Sequence, residues 1–231
     1  MDYEKIKLAI LDVYKKCGTQ SFPIDCIKVL EAYKMKIKKY SEQSPKLLLQ
    51  CMEYSEDAFT AKKTIYYNDK TLPMRIRFSL AHEIGHIALH HTDPRTDIHE
   101  KESDIFASHL LAPRMAIHYA GCKNENDVAK TFNISHEAAQ IAFNDYRRWH
   151  RWTVYHKMNE FDKAMYAHFY NKDAKCFVYN IKKCAYCESE IYNANDVVCK
   201  KCNTPSHAYL SRQVLEDDFV IAESQWLYSG L

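Results

Sequence analysis

Apolar positions recur every three or four residues over most of this chain, and that period predicts a mostly helical protein. Residues 3–16 place Ile6, Ile10 and Val13 on one face and stop at Gly18; residues 24–33 follow Pro23 as a second helix. The period then shortens. Residues 34–40 read as a strand, and residues 46–52 fit helix and strand equally. Residues 57–61 and 64–68 read as paired strands around Lys62-Lys63. Helical spacing returns over residues 77–91, with Pro73 suited to the first turn, and over residues 100–113, which Pro113 ends. Two more helices fall within 124–149, joined by Asn133-Ile134-Ser135 with Ser135 as N-cap, so this stretch resembles a helix-turn-helix. Residues 165–170 and 176–181 alternate around Asn171-Lys172-Asp173 and read as strands, and residues 217–222 form an acid-started apolar segment that packs back.

The helix predicted over 77–91 carries His82-Glu83-Ile84-Gly85-His86. Residues four apart on a helix differ by about 40° around its axis, so His82 and His86 face one way, one turn apart. Two imidazoles so placed can hold one Zn²⁺, while Glu83 takes a proton from a water that the metal polarises. Ile84, Ile87 and Ala88 supply an apolar face for such a helix, and Gly85 leaves room beside the metal. A catalytic zinc needs three protein ligands and one open position. The next predicted helix offers Glu102 as the third ligand if it packs antiparallel to the first. Asp104 then suits an acceptor for a ligand histidine N–H. Taken alone, Glu102 also fits a solvated acid near a helix start.

Two segments resemble the ImmA/IrrE family of metallopeptidases: Arg75-Ile76-Arg77-Phe78-Ser79-Leu80-Ala81-His82-Glu83-Ile84-Gly85-His86, and Glu102-Ser103-Asp104-Ile105-Phe106-Ala107-Ser108-His109-Leu110-Leu111-Ala112-Pro113. Ser103 stands where the family has alanine, and Ala112 where it has methionine. The resemblance covers roughly residues 1–150. It implies that His82, His86 and Glu102 bind zinc, that Glu83 is the base, and that the substrate is a specific protein, typically a helix-turn-helix repressor encoded nearby.

A second metal site is expected near the C-terminus, where Cys184-Ala185-Tyr186-Cys187 and Cys199-Lys200-Lys201-Cys202 stand eleven residues apart. Each pair turns two thiolates toward one point, and four thiolates close a structural zinc site resembling a zinc ribbon. Redox chemistry is the weaker reading, because one such pair suffices for it. The other five cysteines, Cys17, Cys26, Cys51, Cys122 and Cys176, lack paired spacing and suit buried apolar positions. His90, His91, His99 and His109 lie near the metal motif without a defined role.

Composition adds mainly exclusions. A hydrophobic content of 47% suits a globular protein, and a net charge of +2 gives no pull toward nucleic acid or acidic substrates. Over residues 123–152, Lys123, Lys130, Arg147, Arg148 and Arg151 face Glu125, Asp127, Glu137 and Asp145, so the helix-turn-helix-like stretch reads as packing rather than DNA recognition. No apolar run reaches membrane-span length, the start is no signal peptide, and nine cysteines without one argue for reduced thiols in a cytoplasmic protein. The sequence thus predicts an α+β protein. Residues 1–150 form a zincin-like, mostly helical metallopeptidase domain with a small sheet, and residues 160–231 a zinc-ribbon module. The expected activity is a zinc endopeptidase with one catalytic and one structural zinc. The rival expectations are a non-catalytic regulator binding protein or DNA, and a toxin paired with an antitoxin.

Overall fold

The computed structural model describes residues 1–203, which fall into two compact units, residues 1–181 and the residues from 182 onward. In the first unit α1 (Tyr3–Lys16) is capped by the Asp2 carboxylate, which accepts from the N–H groups of Glu4 and Lys5. Its buried face, Ile6, Ile10, Val13 and Tyr14, reaches the core, and the Tyr14 hydroxyl donates to the Leu110 carbonyl at 2.7 Å. The helix α2 (Cys26–Ala32) leads to β1 (Lys36–Lys39). The ambiguous segment is a helix, α3 (Pro45–Tyr54), with proline in its first turn.

Then come β2 (Ala58–Ala61) and β3 (Thr64–Tyr67), a hairpin whose turn holds Lys62 at φ 56°. The sheet order is β1-β3-β2: β1 runs parallel to β3, β2 antiparallel with Thr60 opposite Ile65, and β2 is left at an edge.

Two helices fill the middle of the unit, α4 (Pro73–Ala88) and α5 (Asp97–Leu111). His82 sits beside Asp104 and His86 beside Glu100, so the helices run in opposite directions. They approach closely at Gly85, where a Cβ would stand 3.1 Å from the Ser103 Cα and 3.1 Å from a Phe106 ring carbon. Leu80, Ile84, Phe106 and Leu110 bury the rest of the seam. After α6 (Arg114–Tyr119), α7 (Glu125–Phe132) and α8 (His136–His156) meet at Asn133, which is left-handed at φ 51°, with Ser135 capping α8. Val128, Phe132, Ala139 and Ala142 are buried between these helices and the core. Arg77 on α4 donates to the carbonyls of Phe132 (2.8 Å), Asn133 and Ile24 (3.0 Å), tying the turn to the middle of the unit.

Two expectations need correction. Residues 165–169 are not a strand but the end of α9 (Glu160–Phe169). Asn159 caps its start by accepting from the Asp162 N–H at 2.7 Å, and Phe161, Met165 and Phe169 follow the four-residue repeat of a helix face turned to the core. Only β4 (Tyr170–Asn171) and β5 (Cys176–Phe177) pair, and both lie in the first unit rather than in a ribbon. The boundary also falls later than residue 150 or 160: the buried Trp149 indole donates to Asp162 at 3.0 Å, and Phe169 and Phe177 belong to the same core as Tyr14.

β6 (Ile181–Lys183), which starts at the last residue of the first unit, and β7 (Glu190–Tyr192) form a two-stranded sheet. Turns closed by Glu188 N–H to the Cys184 carbonyl (3.0 Å) and Asn203 N–H to the Cys199 carbonyl (2.9 Å) carry the cysteines. The expected apolar segment at 217–222 lies outside the described residues.

Candidate metal centre and active site

The site grows out of the α4–α5 pair. Pro73 starts α4, and Arg75 fixes that end to the sheet through two bonds to Asp57, at 2.6 and 3.0 Å. One turn apart on α4, His82 and His86 bring their Nε2 atoms to 2.9 Å. Facing them from α5 is Glu100, with Oε2 at 3.1 Å from His82 Nε2 and Oε1 at 3.5 Å from His86 Nε2. These three side chains offer ligand atoms that all lie within 4.8 Å of one another.

The outer nitrogens show what the inner ones must be. His82 Nδ1 lies 2.8 Å from the Asp104 carboxylate, an acceptor, so Nδ1 carries the hydrogen and Nε2 a lone pair. His86 Nδ1 lies 3.0 Å from His91 Nδ1, and His91 Nε2 lies 3.1 Å from the Glu102 carboxylate. Assigned from the carboxylate inward, His91 donates to Glu102 and accepts from His86, which leaves a second lone pair on His86 Nε2. In those tautomers two lone pairs and a carboxylate converge, the donor set that a bound cation takes; without a cation, a proton on His82 Nε2 facing Glu100 satisfies the same contacts. A His₂Glu set is a zinc donor set of the catalytic kind. The electrostatics agree for His86: burial first, then the positive charge of Arg95, pulls it down to about 3, so it is neutral and ready to ligate. For His82 burial pulls downward, but the hydrogen bond and charge of Asp104, with Glu83 and Glu100, outweigh it and hold the group above its ordinary value.

Glu102 is therefore not brought to the histidine pair. Its carboxylate is occupied by His91 and by the Asp2 N–H at 3.3 Å, and it stands two residues from Glu100, some 200° around α5. Glu100 holds the place expected of Glu102. A signal for it was in the sequence: Glu100 and Asp104 are four apart, the spacing of His82 and His86, and one helix face must serve both metal and histidine. His91 reaches the site because α4 ends with His90 at φ 58°, which folds the next residue back so that its N–H donates to the His86 carbonyl at 3.0 Å. Sequence periodicity gave that histidine no role.

Glu83, 4% exposed, lies on the floor of a cleft of about 860 Å³. Thr60 on the edge strand donates to its Oε2 at 2.6 Å. Arg95, in the loop between α4 and α5, donates twice, from Nη1 to Oε1 at 3.2 Å and from Nη2 to Oε2 at 3.1 Å. Ala58 and Phe59 of β2, Tyr54 at the end of α3, and His82, Glu100 and Asp104 also line the cleft. Thr60 falls in the strand read at 57–61 and Arg95 in a loop, and nothing in the sequence marked either as a partner of Glu83.

Cys184, Cys187, Cys199 and Cys202 place their sulfurs within 4.8 Å of one another, with Cys187 and Cys199 3.6 Å apart. Backbone N–H groups of Cys199, Cys187 and Tyr186 point at the Cys184 sulfur and lower its thiol to about 6. That favours the thiolate a metal needs, and a four-cysteine cluster of this kind is compatible with a zinc ribbon. Among the described residues no helix is long and apolar enough to cross a membrane.

Residues 34–147 match the family model of the IrrE N-terminal-like domain, a family of metallopeptidases. No curated protein matches the chain. The matched stretch contains the sheet, the cleft and both helices of the His/Glu cluster, so that over residues 34–147 the chain matches the M78 peptidases, as an IrrE N-terminal-like domain.

Proposed function

We propose that this protein is a zinc-dependent endopeptidase that cuts a peptide bond in a specific protein partner. His82, His86 and Glu100 hold the catalytic zinc, and the four cysteines hold a second, structural zinc. The observation that carries this reading is the convergence of two imidazole nitrogens and one carboxylate beside an intact glutamate lining the cleft. Zinc in such a site supplies Lewis acidity toward water and carbonyl oxygen. The chain's own groups do the rest. Glu83 accepts a proton from the attacking water and returns it to the leaving amine, while Thr60 holds the carboxylate in place. Asp104 fixes the His82 ring, and the His91–Glu102 pair fixes that of His86. β2, paired on one side only among the described residues, offers its other edge to an extended peptide along the cleft. The family resemblance favours a regulatory substrate such as a helix-turn-helix repressor encoded nearby, met in the cytoplasm.

Glu83→Gln tests the reading. It keeps the shape and the zinc but cannot take the proton, and cleavage should fall by at least about a hundredfold. New protein N-termini, read by mass spectrometry in cells producing the wild-type chain, should be missing with Glu83→Gln. Identical profiles from the two would leave a non-catalytic regulator or a toxin in place of the enzyme.

A further inference from the structure

We infer that Arg95 is a catalytic residue of this cleft: it rests on Glu83 and donates to the oxyanion when the peptide carbonyl is attacked. The inference rests on the peptidase reading and adds a group that the motif does not contain.

Its first support is charge. Among the described residues Arg95 is the one lysine or arginine lining the cleft, against Asp57, Glu83, Asp93, Glu100 and Asp104. Asp57 is already engaged by Arg75, whereas Arg95 spends both terminal nitrogens on Glu83. Base catalysis changes that pairing. As the water attacks, its proton neutralises Glu83 and one negative charge appears on the carbonyl oxygen. Arg95 thus loses the nearer of its two carboxylate partners, keeping only Asp93 at 3.8 Å from Nε, at the moment an equal charge forms in the same cleft. A guanidinium carries five N–H donors in a fixed fork, so one of them can turn to the oxygen while another still touches the protonated carboxyl.

Placement is the second support. Arg95 directly precedes Thr96, whose side chain accepts from the His99 N–H at 3.3 Å and caps α5, so its backbone is anchored where the two ligand-bearing helices join. Its side chain is 23% exposed, open to the cleft rather than sealed in the core. The other donors fit less well. The Thr60 hydroxyl has one hydrogen, already given to Glu83. Tyr54 is 72% exposed at the rim, with its ring against Phe59 at 4.6 Å.

A structural ion pair is the competing role, and the full chain loaded with Co²⁺ at the His/Glu site separates the two without any substrate. Acetohydroxamate, a small oxyanion probe, is titrated against the visible cobalt spectrum. In Arg95→Ala the spectrum should persist while hydroxamate affinity falls about tenfold or more, with Arg95→Lys between; on a cleaved substrate the same loss should appear in kcat, by about 10²–10³-fold. The Glu83→Gln background decides whether Arg95 acts on the probe itself: the loss on Arg95→Ala should remain there. Unchanged affinity in Arg95→Ala, a loss that vanishes with Glu83→Gln, or a variant that no longer holds cobalt would each overturn the inference. A wild-type chain that shows no cobalt spectrum, or none that responds to hydroxamate, sinks the peptidase reading itself, and the proposal with it.

Discussion

The two clusters of metal-ligating side chains are built in opposite ways. His82, His86 and Glu100 stand on helices of sixteen and fifteen residues whose other faces are buried, and Leu80, Ile84, Phe106 and Leu110 would hold those helices together with or without an ion. The cysteine cluster stands on short turns and three-residue strands, and Cys184 is the one fully buried residue among the described residues 182–203. In the first case the fold positions the ligands and the metal is a guest. In the second the metal stands in for a core, as it does in domains too small to bury one. The first arrangement suits an ion that must keep a position open for chemistry, the second an ion closed on all sides.

The sharpest break of this contrast is metal removal. Structural zinc is worth about 10–16 kcal/mol in small zinc modules, so a strong chelator under reducing conditions should abolish hydrogen-exchange protection over residues 182–203. Residues 1–181 should keep their protection, and equal loss in both units would refute the comparison. Truncation approaches it from the other side. A chain ending at Ile181 should fold and melt cooperatively, whereas one ending at residue 159 loses Met165, Phe169, Phe177 and the Asp162 partner of Trp149 and should not fold. A well-folded 1–159 chain would restore the earlier boundary.

Within the helical site, Glu100→Ala should empty it, while Glu102→Ala should leave one ion bound about 10–100-fold more weakly, because only the support of His86 through His91 is lost. Competition with a chromophoric chelator reads both, and the reverse order would return the ligand role to Glu102. The smallest effect concerns the seam. Gly85→Ala places a methyl 3.1 Å from the Ser103 backbone and should lower stability by about 1–3 kcal/mol, measured by denaturant titration; a neutral result would show the helices free to separate.

Much of this was legible in the chain. Apolar repeats give α1, α4 and α5 nearly to their ends, and Lys62-Lys63 marks the hairpin turn. What failed did so for identifiable reasons. The run 165–170 satisfies both a period of two and a four-residue repeat, and the cap at Asn159 that decides between them lies outside it. Glu100 and Glu102 are both acids in the first turns of α5, where the dipole welcomes either, so only angular position around the helix separates the proposed ligand from its support. Arg95 and His91 act through loop geometry, and loops have no period to read.

The two helices of the site also follow one another directly along the chain, and the widest gap among its ligands, His82 to Glu100, is eighteen residues. Pairings so close in sequence lose little entropy on closing and form fast. The α4–α5 hairpin can therefore collapse and capture its ion while α6 to α9 are still emerging from the ribosome. The strands that wall the cleft come before it in the chain and helices α6 to α9 come after, so synthesis would complete the domain around a hairpin already able to take the proposed metal.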